Sequence, residues 1–193
     1  AWQRAQQTPL GEKWAATTRD RAISLLDTPL SALPPELYAD FFATGRRLPF
    51  ETVYFERRQH LATAVMAALL ETDPAMQKKL LASALTKARD VFDEVSWSLP
   101  AHVWKDPTGM NPMMLDLFAS ETANLFGELL NLLGQVMPAD FKRDIHARLQ
   151  TVVFQNYLDT DFHWMSMTHN WNAVCHQGIL GAAAWNNAAA GLF

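Results

Sequence analysis

The sequence predicts an all-α protein built from antiparallel helical hairpins. Apolar residues recur with helical spacing along most of the chain, and the alternation typical of strands is nearly absent. Glycine is scarce between the apolar stretches, and neither a Rossmann nor a P-loop glycine pattern occurs. With 193 residues the chain can bury a sizeable core, so we expect one helical domain over residues 1–193.

Apolar stripes and their breaks indicate about seven helices. Pro74 opens one helix, and Pro138 with Asp140 provides the first-turn signals of another. The pattern predicts helices at about 11–27, 35–44, 54–72, 74–95, 113–136, 138–158 and 170–189. Very short connections indicate two antiparallel hairpins, the third helix with the fourth and the fifth with the sixth. A solenoid-like stack and an α/α toroid both use such hairpins, and this chain is too short to close a toroid of six.

Composition excludes several classes of function. A formal net charge of −4 gives no reason to expect nucleic-acid binding. No stretch approaches the roughly 20 apolar residues that span a bilayer, so we expect no membrane partner. The one cysteine, Cys175, cannot form an intramolecular disulfide. The chain does not begin with methionine, and its far end is apolar without a charged last turn, so we expect a piece of a longer protein.

The stretch from Ser96 to Pro112 is the longest without helical periodicity. It carries Trp97, His102 and Trp104 together with three prolines. Tryptophan offers a flat, partly polar surface that stacks well on sugar rings. The alternative, which the sequence leaves open, is that both tryptophans pack into the core at helix ends.

The densest group of chemically capable side chains lies between Asp159 and Asn187. If a helix begins near His169 or Asn170, then His169, Asn172 and His176 share one face, and Trp171, Val174, Cys175 and Gly178 share the other. Residues seven apart on a helix are separated by roughly 10 Å, too far for both histidines to hold one metal ion. Amide and imidazole groups along a face suit an extended ligand instead. A capping His169 and a core His176 remain the alternative.

Two stretches resemble a known family. The run Thr168–Cys175, followed by Gly178, resembles the NNW-N-x-V-C helix of heparinase II/III-like polysaccharide lyases. Upstream, Trp97–His102 resembles the family's W-x-x-P-x-H segment, and the L-D-L at 115–117 and E-T at 121–122 follow in the same order. The resemblance spans about residues 95 to 187, and the first ~90 residues carry no sharp motif.

The resemblance implies an incomplete α/α toroid, followed in complete members by β-sandwich domains. It implies β-elimination on an acidic, uronic-acid-containing polysaccharide or oligosaccharide, without a cofactor or metal, in the periplasm or outside the cell. Asn170 matches the position that neutralises the substrate carboxylate, although His169 stands where the motif often has a first Asn. The site residues expected from the motif and its surroundings are Asn170, His169 and His176 for catalysis, and Asn172, Trp97, His102, Trp104 and Trp171 for substrate binding.

The family's catalytic tyrosine lies later in the chain than this motif. Tyr38, Tyr54 and Tyr157 precede the motif and do not match, so we expect the tyrosine beyond Phe193 and no activity from this chain alone. Two other classes of function stay open. A glycoside hydrolase on a related toroid would need two carboxyl groups flanking the bond. A non-catalytic scaffold would bind sugar or protein through the tryptophan-rich loop.

Overall fold

A computed structural model describes residue 4, residues 6–103 and residues 111–186. All regular secondary structure in these ranges is helical, so the all-α prediction is confirmed. No helix within the described ranges combines the length and apolarity needed to cross a bilayer. The toroid stays a prediction.

Chain packing divides the protein into two compact units. The first comprises Ala1–Leu33 and Leu48–Glu94, and the second comprises Pro34–Arg47 and Val95–Phe193. The sequence predicts one domain over residues 1–193, which stays a prediction for the chain as a whole.

The first unit contains three helices: α1 (Pro9–Ser24), α3 (Leu48–Leu70) and α4 (Pro74–Phe92). The Asp73 carboxylate accepts a hydrogen bond from the Met76 N–H at 2.7 Å and so caps α4, whose first residue is the predicted Pro74. The connection between α3 and α4 is only three residues long, and the two helices pack along each other as the predicted hairpin. Small residues let α1 approach this pair, with a buried cluster of Ala22, Ala67, Ala68 and Leu80.

The second unit begins with α2 (Pro35–Thr44), whose C-cap is Gly45. This glycine has φ 73°, in the left-handed region that favours glycine. A 3₁₀ turn at Pro100–His102 precedes α5 (Leu117–Leu133). The later elements are α6 (Ala139–Arg148), a π-helical segment (Leu149–Gln155), α7 (Asn156–Asp159), a second 3₁₀ turn (His163–Ser166) and α8 (Asn170–Trp185). Since α6, the π segment and α7 are continuous, the described residues form seven helices, as predicted.

The predicted hairpin of 113–136 with 138–158 differs from the observed packing. Helix α5 packs most extensively along α8, and it touches the π segment only briefly. Glycines explain the choice of partner, because Gly178 of α8 lies against the Ser120 backbone and Gly127 of α5 lies against the Ala182 backbone. Without side chains at these two points the helix axes can approach closely, and helical periodicity alone does not reveal such a fit.

Candidate functional site

The N-terminal end of α8 presents the segment that carries the motif. The helix begins at Asn170, and His169 is its N-cap: the His169 Nδ1 accepts a hydrogen bond from the Trp171 N–H at 3.2 Å. The N-cap is therefore His169 rather than Asn170, which agrees with the alternative in which His169 caps the helix. The same ring approaches the Met167 sulfur through Nε2, so both of its nitrogens have local partners.

The two asparagines of the motif differ in what their amides do. Asn172 is partly buried, and its Nδ2 donates to the Met165 carbonyl at 2.7 Å and to the Trp164 carbonyl at 3.4 Å. Its amide therefore holds the 3₁₀ turn against α8. Asn170 is exposed, and its amide makes no hydrogen bond to the part of the chain that the structure describes. Of the two amides, the Asn170 amide is the one left for a ligand.

His176 contacts Tyr157, a residue that was not among the site residues expected from the sequence. The hydroxyl of Tyr157 lies 2.7 Å from the His176 Nδ1, and the two rings meet edge to face. Burial raises the pKa of Tyr157 above its ordinary value, so the phenol keeps its proton. Since a neutral phenol and a neutral imidazole can each donate or accept, one hydrogen bond joins the two side chains. The two residues are 19 positions apart on different helices, and no spacing rule connects them.

Trp164 supports this pair from the core side. Its indole is fully buried, and its Nε1–H donates to the Leu115 carbonyl at 2.7 Å. The rings of Tyr157 and His176 both pack against it, His176 at 5.2 Å between centroids. A buried aromatic platform with a satisfied N–H holds the pair in one orientation.

His102 belongs to a second polar pair in the same unit. Its Nδ1 lies 2.8 Å from the Asp116 Oδ2, and the Asp116 side chain is completely buried. Its ring packs against Trp171 at 4.7 Å between centroids and stacks near-parallel on Phe118 at 5.7 Å. The resemblance places His102 and Trp171 among the substrate-binding residues, and the structure brings these two together.

The three predicted tryptophans have different environments. Trp171 is partly exposed, next to Asn170, and the rings of His102, His163 and His169 surround it. Trp97 is only 3% exposed: it stacks on Phe126 and lies 4.1 Å from the Arg148 guanidinium carbon. This burial favours the alternative that the sequence left open, in which Trp97 packs into the core. Trp104 lies outside the described residues.

Metal and thiol chemistry find little support in the described ranges. No group of three histidine, cysteine or acidic side chains there is close enough to hold a metal ion. Cys175 is fully buried on the face of α8 that meets α5, and burial raises the pKa of its thiol to about 12. A neutral, inaccessible thiol is a poor nucleophile and a poor ligand.

Two of the carboxylates that a hydrolase could use, Asp116 and Asp159, have hydrogen-bond partners within the chain. Asp116 caps α5 through the Ala119 N–H and also accepts from the Leu99 N–H and His102. Asp159 accepts from Gln155 on an exposed surface. The buried Asp116 is therefore a structural acceptor rather than one of two carboxyl groups facing a glycosidic bond.

The first unit has a polar groove of its own. A cavity of about 560 Å³ is lined by residues of α4 and of the turn after α1, among them Asp27, Lys79, Lys87 and Asp90. Lys87 is buried, and its Nζ donates to the Leu25 carbonyl and to the Ser83 Oγ, which fixes the turn after α1. Burial lowers the pKa of Lys87. Lys87 therefore stabilises the turn after α1, and no aromatic side chain is among the residues that line the cavity.

Comparison with known proteins leaves the family unassigned. No protein-family model matches the chain, and no curated protein matches it significantly.

Proposed function

We propose that this chain is part of a polysaccharide lyase that cleaves uronic-acid-containing polymers by β-elimination. One observation carries the proposal: the Asn170 amide at the start of α8 is exposed and makes no hydrogen bond to the described residues, while the neighbouring His169 and Asn172 are held by local hydrogen bonds. Asn170 is also the residue that matches the neutralising position in the resemblance to heparinase II/III-like lyases.

The chemistry explains why a free amide matters at this point. β-Elimination requires that the C5 carboxylate be neutralised, so that the adjacent C–H becomes acidic enough to lose its proton. The Asn170 Nδ2 carries two N–H donors for that carboxylate. Trp171, the next residue, offers a partly exposed ring on which a sugar can stack.

The rest of the proposed enzyme follows from the resemblance. The helices belong to an incomplete α/α toroid, and the catalytic tyrosine lies beyond Phe193. Tyr157 does not take that place, because it precedes the motif in the chain. The enzyme acts without a cofactor, in the periplasm or outside the cell, and this chain alone is inactive.

The test compares Asn170→Ala with Gln177→Ala in a form of the protein that continues past Phe193. Gln177 is a matched control, because it is also an exposed amide on α8. The assay follows ultraviolet absorbance of the unsaturated uronate product with a panel of uronate polymers. Removing a preorganised donor to developing charge costs roughly a hundredfold or more in rate. We expect that loss in Asn170→Ala and wild-type rates in Gln177→Ala.

Each alternative function has its own result in this assay. New reducing ends without ultraviolet absorbance indicate a hydrolase. Uronate binding without cleavage by the longer form indicates a binding scaffold. Equal rates for Asn170→Ala and the wild type remove Asn170 from the neutralising role.

A further inference from the structure

Hydrogen bonds fix the protonation pattern of the His102 ring. Asp116 accepts from the Leu99 N–H at 3.1 Å and from the Ala119 N–H at 2.7 Å, and its Oδ2 also meets the His102 Nδ1. Because a carboxylate can only accept, Nδ1 carries the imidazole proton. In the neutral ring the lone pair is then on Nε2.

The Nε2 atom has no hydrogen-bond partner among the described residues, although the His102 side chain is only 11% exposed. Asp116, Phe118 and Trp171 hold the ring by one hydrogen bond and two ring contacts. A rigid imidazole with one open acceptor atom suits proton transfer, because its orientation is set before substrate arrives.

The three histidines of the site differ in the groups that face their nitrogens. The His176 Nδ1 meets the Tyr157 hydroxyl. The His169 Nδ1 accepts from the Trp171 N–H, so the proton of that neutral ring is on Nε2, beside the Met167 sulfur. Among the described residues, His102 is the one of these three rings whose Nδ1 faces a carboxylate, which fixes its lone pair on Nε2.

We infer that His102 is the proton acceptor of the site and that Asp116 is its positioning residue, an inference that rests on the proposed lyase function. The C5–H bond of the uronate breaks, its proton moves to the His102 Nε2, and its electron pair enters the carboxylate that Asn170 neutralises. The electrons then form the C4=C5 double bond as the C4–O bond breaks, and the leaving oxygen takes a proton from the later tyrosine of the proposed enzyme. Contact with Trp171, the neighbour of Asn170, places the His102 ring at the same end of α8.

The first experiment measures the tautomers directly. Nitrogen-15 NMR of histidine-labelled chain at neutral pH distinguishes N–H from lone-pair nitrogens, and His102→Gln and His176→Gln assign the two rings. We expect Nδ1–H for His102. In Asp116→Asn the amide N–H₂ replaces an acceptor at Nδ1, so His102 changes to Nε2–H. A wild-type His102 that carries its proton on Nε2, or on both nitrogens, overturns the inference.

The second experiment uses the uronate assay of the longer form. General base catalysis contributes about 10²–10⁴-fold, so His102→Gln and Asp116→Asn should each lower kcat at least about a hundredfold with little change in KM. Asp73→Asn is the matched control, because it makes the same change at an N-cap that has no imidazole partner. Circular dichroism and Tm establish that each variant is folded.

The outcomes separate the inference from the proposed function. Wild-type cleavage together with full activity of His102→Gln overturns the inference and leaves the lyase function standing. A wild type that cleaves no uronate removes the lyase function, and the catalytic use of His102 falls with it, whatever the tautomer. Loss of kcat in both variants, with Asp73→Asn unchanged, supports His102 as the acceptor and Asp116 as its positioning residue.

Discussion

The contact between α5 and α8 predicts how the protein responds to a single added methyl group. A Cβ on Gly178 would lie 2.6 Å from both the carbonyl carbon and the oxygen of Ser120, whereas ordinary contacts begin near 3.4 Å. The obstacle is backbone, so the helices themselves must separate locally by about 0.8 Å to admit the methyl group. Gly178→Ala therefore disturbs the packing of the helix that carries Asn170.

The magnitude follows from two opposing effects. Overpacking a close contact costs about 1–3 kcal/mol, and replacing glycine by alanine inside a helix returns about 0.5–1 kcal/mol. We expect Gly178→Ala to lose about 1–2 kcal/mol of unfolding free energy. At roughly 2–4 °C per kcal/mol for a chain of this size, Tm falls by about 2–8 °C.

Gly127→Ala is the control within the same interface. Its Cβ would lie 3.0 Å from the Ala182 Cα and 3.1 Å from the Ala182 oxygen, a milder clash that the gain in helix propensity largely offsets. Thermal and urea unfolding of both variants measure the difference. A Gly178→Ala protein as stable as the wild type, or a Gly127→Ala protein that is the weaker of the two, would refute this account of the interface.

Three further predictions concern single side chains. Asp73→Ala removes the cap of α4 and should cost about 1 kcal/mol in urea unfolding, and a cost near zero would show that the cap is dispensable. Burial raises the pKa of Cys175 to about 12, so the unfolded state releases its thiol proton first as pH rises. The free energy of unfolding should therefore fall above the ordinary thiol pKa, and this fall should be smaller in Cys175→Ala. Burial opposes ionisation of Glu71, but hydrogen bonds from Arg19, Asp73 and Thr72 outweigh it and lower the Glu71 pKa. Its contribution is therefore present above the ordinary glutamate pKa and lost as pH falls, and acid titration of Glu71→Gln against the wild type should show a weaker loss.

Local signals in the sequence were sufficient to predict the helices. Asp73 and Pro74 mark the start of α4, and the apolar positions Leu80, Ala84 and Val91 are all fully buried in it. The boundary of α5 was less accurate, since it begins at Leu117 rather than near 113, because the Asp116 side chain caps it there. Propensity and periodicity are properties of neighbouring residues, so they locate helices better than they locate ends.

Long-range contacts could be predicted only in part. The motif placed Asn170, His169 and Trp171 together because they are adjacent in the chain, and the resemblance added His102 from a distant segment. The contact between Tyr157 and His176 was missed, since two helices must first be docked for these residues to meet. The pairing of α5 with α8 was missed for the same reason, because the fit of a glycine against a backbone depends on three-dimensional shape.

The π segment determines the direction in which the side chains of α7 project from the helix axis. An α-helix turns about 100° per residue, and a π turn accommodates an additional residue, so α7 emerges rotated relative to an unbroken helix. That rotation directs Tyr157 to His176 and Asn156 to the Met113 carbonyl. If the same residues wound as an unbroken α-helix, both side chains would turn away by about 100°. The contact between Tyr157 and His176 thus depends on the π-helical winding of the segment before α7.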